Sequence, residues 1–308
     1  MPPCPTFIVS AGTTKINIKR GGIFMSSLLR EQFTNYLTLQ RYSPKTHLAY
    51  IDAVYGLARY YKKSPDSLSN DEIQDYLRYL IETKKLAWSS CNVVFSGLNC
   101  FYKNVVKWDD TQFFIPRRPR SKKIPMILSV EEVGRLINAS VNIKHRALLK
   151  TVYSAGLRVG EVVLLKPRHI ESDPSRMMIR VEQGKGRKDR YTVLSKELLP
   201  TLREYCRKCK PKEWLFPGKN SEEPMSHGTA QKIYHNARQR AGITKGRGIH
   251  TLRHCFASHL LWAGEDIYTI KKLLGHSSIK TTVRYLHVTQ KQINAVKSPL
   301  DTLERGRI

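Results

Sequence analysis

Residues Gly248 to Thr289 read GIHTLRHCFASHLLWAGEDIYTIKKLLGHSSIKTTVRYLHVT and constrain the fold more than any other part of the sequence. The apolar residues of this stretch recur every three or four positions, which predicts three short amphipathic helices. Gly264 and Gly275 are placed to end the first two helices, because glycine readily takes the left-handed conformation that follows a helix. The third helix is predicted to start near Ser278 and to carry Tyr285 in its middle.

Four polar side chains of this stretch are expected to lie close together. His250 and Arg253 are three positions apart near a helix start, so they share one helix face. His276 follows the glycine that ends the second helix, and Tyr285 comes nine residues later. A phenol, two imidazoles and a guanidinium on adjoining short helices indicate a site for an anionic substrate.

The composition indicates the class of that substrate. The chain has 308 residues, with 53 Lys and Arg against 25 Asp and Glu, and a formal net charge of +28. Such an excess is costly in self-repulsion unless a polyanion neutralises it. Nucleic acid is the usual polyanion, bound through phosphate contacts and counterion release. The length allows about two domains at the usual ~150 residues each.

Several other classes are disfavoured. The six cysteines form no disulfide-like framework, no secretory signal is visible, and no apolar run approaches the ~18 residues of a membrane span. Cys206 and Cys209 form a lone CxxC, and the histidines downstream of it lie at spacings outside the common zinc patterns. The residue after His250 is Thr251, where a zinc protease would need Glu. The sequence therefore predicts a reduced, cytoplasmic protein without a metal ion.

The chain divides into segments with different patterns. Residues 1–24 have no helical period and are read as a flexible N-terminal arm or a mis-called start. Residues 25–115 carry four helical periods and predict a small all-helical domain. Residues 116–127 are rich in Pro, Arg and Lys, which is typical of a linker. Residues 128–293 form the second domain, and residues 294–308 a mixed-charge tail.

The second domain is predicted to contain a small β-sheet. Residues Met177–Val181 and Arg190–Leu194 read as the two strands of a hairpin whose turn is built on GKG at 184–186. The GxxxxGK[ST] spacing of a nucleotide-binding loop is absent, so a hairpin tip that brings Lys185 to phosphate is the better interpretation. The fold class is therefore mainly α with a small β-sheet (α+β).

Five motifs in order carry a family resemblance. They are GLRVGE at 156–161, GKG at 184–186, HTLRH at 250–254, LGH at 274–276 and Tyr285. From about Met25 onward, the chain resembles the tyrosine recombinases, also called phage integrases. The resemblance implies an N-terminal four-helix core-binding (SAM-like) domain followed by a C-terminal tyrosine-recombinase catalytic domain.

The resemblance also implies a role for each motif residue. Arg158 and Arg253 would clamp the non-bridging oxygens of the scissile phosphate, to which a guanidinium fork is well matched. Tyr285 would be the nucleophile and form a 3′-phosphotyrosyl bond. Lys185 would protonate the leaving 5′ oxygen, with Lys188 as a second candidate.

Three further residues complete the implied site. His250 would act in proton transfer around the tyrosine, and His276 would form a hydrogen bond with the phosphate. Glu161 would be an accessory residue that orients Arg158 or His250. Because two arginines, one lysine and two histidines supply the positive charge, neither a metal nor another cofactor is expected, and tyrosine attack conserves the bond energy without ATP.

The expected partner is double-stranded DNA. Basic residues of the linker and of the hairpin turn are predicted to contact its backbone: Arg117, Arg118, Arg120, Lys122, Lys123, Arg187 and Lys188. The resemblance further implies a homotetramer on paired sites, with possible DNA-bending accessory proteins and no role at a membrane.

Two alternatives to a site-specific recombinase stay open on the sequence alone. A type IB topoisomerase shares the chemistry but relaxes DNA without pairing sites. A DNA-binding protein with an inactive catalytic fold is the other. Within the recombinase reading, an integrase of a mobile element is the expectation, and this rests on analogy.

Overall fold

The computed structural model describes residues 25–116, 126–182 and 189–285, apart from the side chain of Arg284. These residues form two compact units, one within residues 25–116 and one within residues 126–285. Within these ranges no helix is both long and apolar enough to cross a membrane. The N-terminal arm, most of the linker, the hairpin turn and the C-terminal tail lie outside the described residues.

The first unit is a bundle of four α-helices. The helices are α1 (Ser27–Leu39), α2 (Pro44–Tyr61), α3 (Asn70–Glu82) and α4 (Trp88–Phe101). Ser69 and Glu72 form a capping box at the start of α3, which satisfies two backbone N–H groups that have no partner inside the helix. The core of the unit is apolar and aromatic, with Phe33, Leu98 and Phe101 fully buried. The predicted four-helix domain is confirmed.

The second unit is also mainly helical. Its helices are α5 (Val130–Asn138), α6 (Ile143–Ala155), α7 (Val159–Val163), α8 (Leu198–Cys209), α9 (His227–Arg240), α10 (His250–Trp262) and α11 (Ile267–Leu274). Asp266 caps α11, since its carboxylate accepts a hydrogen bond from the backbone N–H of Thr269. Leu252 and Cys255 of α10 are fully buried in the core of this unit.

A three-stranded antiparallel sheet in the order β1, β2, β3 completes the second unit. The strands are β1 (Ile170–Glu171), β2 (Met178–Val181) and β3 (Arg190–Val193). The predicted hairpin corresponds to β2 and β3, whereas the short strand β1 was not predicted. Ile179 pairs with Thr192, and both side chains are buried against the helices. The mainly α fold with a small sheet is therefore confirmed.

The predicted third helix of the stretch 248–289 begins after Ser278 as expected, but over its described part it is not a continuous α-helix. The chain there forms two short 3-10 turns, Ile279–Thr281 and Val283–Tyr285. Thr281, Thr282 and Val283 are consecutive β-branched residues, which lose side-chain freedom in a helix. The buried hydroxyl of Thr282 is moreover bonded to a side chain outside the turn. Tyr285 is the last described residue.

Two glycines with positive φ form the turns that follow α6 and α11. Gly156 (φ +60°) ends α6, and a Cβ there would lie 2.3 Å from Cδ1 of Phe256. Gly275 (φ +62°) ends α11, and a Cβ there would lie 2.7 Å from Cδ of Arg190. Both positions therefore require glycine for conformation and for space. Each turn directs a backbone carbonyl toward an arginine.

Candidate active site

The C-terminal end of α11 gathers three guanidinium groups. The last carbonyls of a helix have no partner inside the helix and carry its negative dipole end, so they attract cations. Each of the last three carbonyls here accepts a hydrogen bond from a different arginine: Leu273 from Arg190 Nε at 2.9 Å, Leu274 from Arg253 Nη2 at 2.7 Å and Gly275 from Arg158 Nη2 at 3.3 Å. We call Arg158, Arg190 and Arg253 the arginine cluster.

Glu161 is the counter-ion of this cluster. Its carboxylate accepts hydrogen bonds from Arg158 Nη1 at 2.7 Å and from both terminal nitrogens of Arg190 at 2.8 Å. It also lies 3.6 Å from Arg253 Nη1, and its side chain is only 7% exposed. Burial by itself raises the pKa of Glu161, but the hydrogen bonds and charge of Arg190, followed by Arg158, lower it to about 2.

Arg253 is the most deeply buried member of the cluster, with a side chain 4% exposed. Its Nη1 donates to the carbonyl of Gly156 at 2.7 Å, so the turn after α6 and the end of α11 hold one guanidinium from two sides. Burial and the nearby charge of Arg158 lower the pKa of Arg253 to about 10. It is still charged at neutral pH, in a rigid position suited to a bound anion.

His276 lies beside Arg253 in the turn after α11. Its Nε2 is 3.1 Å from Arg253 Nη2, and its Nδ1 is 2.9 Å from the hydroxyl of Thr282. Burial, then the charges of Arg253 and Arg158, lower the pKa of His276 to about 4. The ring is therefore neutral at pH 7, with Nε2 as the acceptor that faces Arg253.

His250 is the first residue of α10 and lies near the cluster. Partial burial of its ring, followed by the charges of Arg253 and Arg158, lowers the pKa of His250. Its ring centroid is 6.5 Å from that of His254, one helical turn along α10. A neutral imidazole at this place can accept a proton or pass one on.

Tyr285 is held against α10 and α11. Its side chain is 5% exposed and packs with Phe256, Ile270 and Leu274 in a small apolar cluster. Its hydroxyl is 2.8 Å from Nδ1 of His254, and the two ring centroids are 5.6 Å apart. The phenol is thus part of the same framework of helices that positions the arginine cluster.

Several predicted residues are thus brought together, and others lie beyond the described part of the chain. Arg158, Glu161, Arg253 and His276 are joined by direct contacts, and α10 carries His250. Tyr285 is connected to this group by its contact with His254 on α10. Lys185, Arg187 and Lys188 of the hairpin turn and the basic residues 117–123 of the linker lie outside the described residues.

Two residues of the site were missed by the sequence analysis. Arg190 alternates with Tyr191 on β3, so period two places its side chain on the face of the buried Thr192 and not on the exposed face. That alternation could have identified an inward-pointing arginine. His254 is the last residue of the HTLRH motif and was given no role in the site. Its spacing of four from His250 places both on one face of α10 and could have drawn attention to it.

The described residues contain no group of three or more His, Cys, Asp or Glu side chains placed to hold a metal ion. Cys206 and Cys209 are free thiols near the end of α8. Burial raises the pKa of Cys206, which favours the protonated thiol over a thiolate ligand.

Comparisons with known proteins agree with this geometry. Residues 126–292 match the phage integrase family, and residues 29–110 match its N-terminal SAM-like domain. The putative integrase/recombinase y4qK of Sinorhizobium fredii is 40% identical over 280 residues, which cover 90% of each chain. The tyrosine recombinase XerC of Lactobacillus leichmannii is 31% identical, over 87% of this chain and 96% of the relative. The crystal structure of the XerH recombinase bound to a palindromic difH substrate shares the fold, with a TM-score of 0.67, 18% identity and coverage of 86% and 83%. The chain therefore belongs to the phage integrase family of tyrosine-type site-specific recombinases.

Proposed function

We propose that this recombinase cleaves and rejoins double-stranded DNA through a covalent bond to Tyr285, as the integrase of a mobile element. The observation that carries the proposal is the arginine cluster, where three guanidiniums converge on the end of one helix around a single carboxylate. Its donors are fixed before any substrate arrives. Preorganised donors of this kind stabilise the extra charge of a phosphoryl-transfer transition state.

Arg158 and Arg253 are the proposed phosphate clamp. Their anchoring bonds to Glu161 and to the carbonyls of Gly156, Leu274 and Gly275 fix each guanidinium plane. An arginine side chain whose guanidinium plane is already fixed loses little conformational freedom when it binds a phosphate through two parallel hydrogen bonds. Arg158 is the more accessible of the two, with a side chain 22% exposed, and would meet the DNA first.

The proposed reaction has two matched steps. In cleavage, the Tyr285 oxygen forms a bond to phosphorus, the bond from phosphorus to the 5′ oxygen breaks, and Lys185 gives that oxygen a proton. In rejoining, a 5′-hydroxyl attacks the phosphotyrosine, Lys185 takes its proton back, and the tyrosine leaves. His250 is assigned to proton transfer around the tyrosine and His276 to the phosphate, as the family resemblance implies.

Double-stranded DNA as the partner is supported by charge and by relatives. The chain carries a net charge of +28, and solved structures of similar fold contain DNA substrates, including a lambda integrase dimer on a core site. We assign backbone contacts to the basic residues 117–123, Arg187 and Lys188. We further propose a tetramer on two paired sites, DNA-bending accessory proteins, and a location in the cytoplasm.

We also propose division of the chain into a core-binding domain at 25–115, a linker at 116–127 and a catalytic domain at 128–293. The name integrase/recombinase of the y4qK relative supports a role in DNA integration. The target site follows from the experiment below.

The test is to trap protein–DNA adducts that survive denaturation and to sequence the attached DNA. We expect adducts with the natural protein and none with Tyr285→Phe. Tyr268→Phe is the matched control, because Tyr268 is an exposed tyrosine on α11 and its loss should leave the adducts unchanged. Peptide mapping of the adduct should identify Tyr285 directly.

The sequences distinguish the proposed function from its alternatives. Clustered sequences would support a site-specific recombinase and would define its target. Scattered sequences would favour a topoisomerase that relaxes DNA without a site. DNA binding without any adduct would contradict the enzymatic proposal and favour an inactive binding protein.

A further inference from the structure

The hydroxyl of Tyr285 is hydrogen-bonded to an imidazole for which the proposed function provides no role. His254 Nδ1 lies 2.8 Å from the Tyr285 oxygen, within the range of a direct hydrogen bond. The two rings are inclined at 49°, with centroids 5.6 Å apart. His254 follows Arg253 directly in α10, so one short segment of helix serves both the phosphate clamp and the nucleophile.

The surroundings of Tyr285 and His254 limit the groups that can accept the phenolic proton. Tyr285 is 5% exposed and is packed against Phe256, Ile270 and Leu274. Bulk water therefore has little access to the hydroxyl. A phenol that attacks phosphorus must lose its proton to a group within hydrogen-bonding distance. His254 is at that distance, and the residue is only partly buried.

We propose that His254 is a catalytic residue that takes the phenolic proton when Tyr285 attacks and returns it when the tyrosine leaves. This inference rests on the proposed function. In cleavage, the new oxygen–phosphorus bond forms at Tyr285, the proton passes to His254 Nδ1, and Lys185 protonates the 5′ oxygen. In rejoining, both protons move back, so atoms and charges balance over the cycle.

The contact geometry is compatible with both ends of this transfer. Before attack, the hydroxyl donates to Nδ1 while the proton of the neutral ring is on Nε2. After attack, Nδ1 carries the proton and donates to the oxygen that is now bonded to phosphorus. The extra positive charge on His254 then lies beside the negatively charged phosphate, which stabilises it.

The test distinguishes proton transfer between His254 and the Tyr285 oxygen from a purely structural role of His254 in the site. One substrate is a nicked duplex with the sequence recovered from the adducts, on which the cleaved strand diffuses away and single-turnover cleavage is measured. The other substrate is a half-site that ends in a 3′-(4-nitrophenyl phosphate). A second strand supplies a 5′-hydroxyl, which attacks this phosphate and is joined to the half-site. Nitrophenolate leaves without a proton, so the joining reaction needs the phosphate clamp but no group that protonates a tyrosine.

We expect His254→Ala and His254→Asn to slow cleavage by about 100-fold, a typical contribution of proton transfer. The asparagine keeps a hydrogen-bonding group near the position of Nδ1 but cannot carry the proton. In a Tyr285→Phe background, the same replacements should change the joining reaction by no more than a few-fold. His235→Ala, at an exposed histidine on α9, is the control and should not affect cleavage.

Three results would overturn the inference. Cleavage by His254→Asn at the natural rate would show that a hydrogen bond is sufficient. An equal loss in both reactions would show that His254 supports only the structure of the site. Faster cleavage by His254→Ala would show that the contact holds the tyrosine back. Failure of the natural protein to form an adduct at Tyr285 would instead refute the proposed function, and the two failures are therefore distinguishable.

Discussion

Replacement of Glu161 by glutamine should destabilise the second unit and disorganise the arginine cluster. The substitution keeps the size of the side chain but removes the only negative charge among the residues that bind the three guanidiniums in the described structure. It also turns an amide N–H₂ group toward arginine donors that need an acceptor. The positive charges would then remain buried without a counter-ion, which is a strongly destabilising arrangement.

The size of the effect follows from the pKa of the carboxyl group. A fall from the ordinary 4.5 to about 2 corresponds to roughly 3 kcal/mol of stability, at about 1.4 kcal/mol per pKa unit. Loss of one partner from a buried ion pair costs about 3–5 kcal/mol in other proteins. Since the pKa is lowered in the folded state, this stability is fully present above pH 4.5 and is lost as the pH falls toward 2.

Hydrogen exchange of the full chain at pH 7, followed by mass spectrometry, measures the effect locally. A loss of roughly 3 kcal/mol should speed exchange in α7 and α10 by about 100-fold where exchange follows local unfolding. Helix α2 of the first unit is the internal reference and should be unchanged. Glu204→Gln is the matched control, because Glu204 is an exposed partner of Lys208 on α8, and we expect no measurable change.

Equal exchange in the Glu161 and Glu204 variants would contradict this role of the carboxylate. Such a result would mean that the arginines are held by helix carbonyls alone. Cleavage provides a second measurement, because the loss of Glu161 should also slow it by allowing the Arg158 plane to turn. A destabilised variant that cleaves at the natural rate would contradict the link between the carboxylate and the clamp.

Three further predictions concern the turn, the missed arginine and the source of charge. Gly156→Ala and Gly242→Ala both place a side chain at positive φ, but only the first Cβ meets Phe256 among the described atoms. Gly156→Ala should therefore lower the free energy of unfolding by about 2 kcal/mol more than Gly242→Ala in urea denaturation; equal losses would contradict the steric argument. Arg190→Lys cannot reproduce the two bonds to Glu161 and should slow single-turnover cleavage by about 100-fold; an unchanged rate would remove Arg190 from the site. Cleavage should proceed equally with EDTA and without ATP, since guanidiniums supply the charge; a rate restored by added magnesium would refute this.

Much of the second unit could be predicted from local sequence. The glycines after α10 and α11 end those helices because the chain there takes the left-handed conformation. Asp266 marks the start of α11 by a side-chain cap. The two strand-like runs on either side of GKG located both strands of the hairpin. These features depend on residues close in sequence, which is why their pattern is visible without the structure.

The contacts that organise the site could not be predicted in the same way. The acceptors for the arginine cluster are backbone carbonyls of Leu273, Leu274 and Gly275, and every residue type provides a carbonyl. Only the packing of α11 against α10 and β3 directs these carbonyls at Arg253 and Arg190. The absence of a continuous α-helix before Tyr285 has a similar cause, because the hydroxyl of Thr282 is hydrogen-bonded to His276, six residues earlier.

The state of His276 in this structure constrains how it can act on a phosphate. With its pKa lowered to about 4, the neutral ring accepts from Arg253 at Nε2, so its proton is on Nδ1 and is donated to Thr282. To donate to a phosphate oxygen from Nε2, the ring must take the other tautomer, and Nδ1 must then accept. A hydroxyl can donate as well as accept, so Thr282 can satisfy either tautomer without moving. When a phosphate takes over as the partner of Arg253, the His276 ring is therefore able to change from acceptor to donor in place.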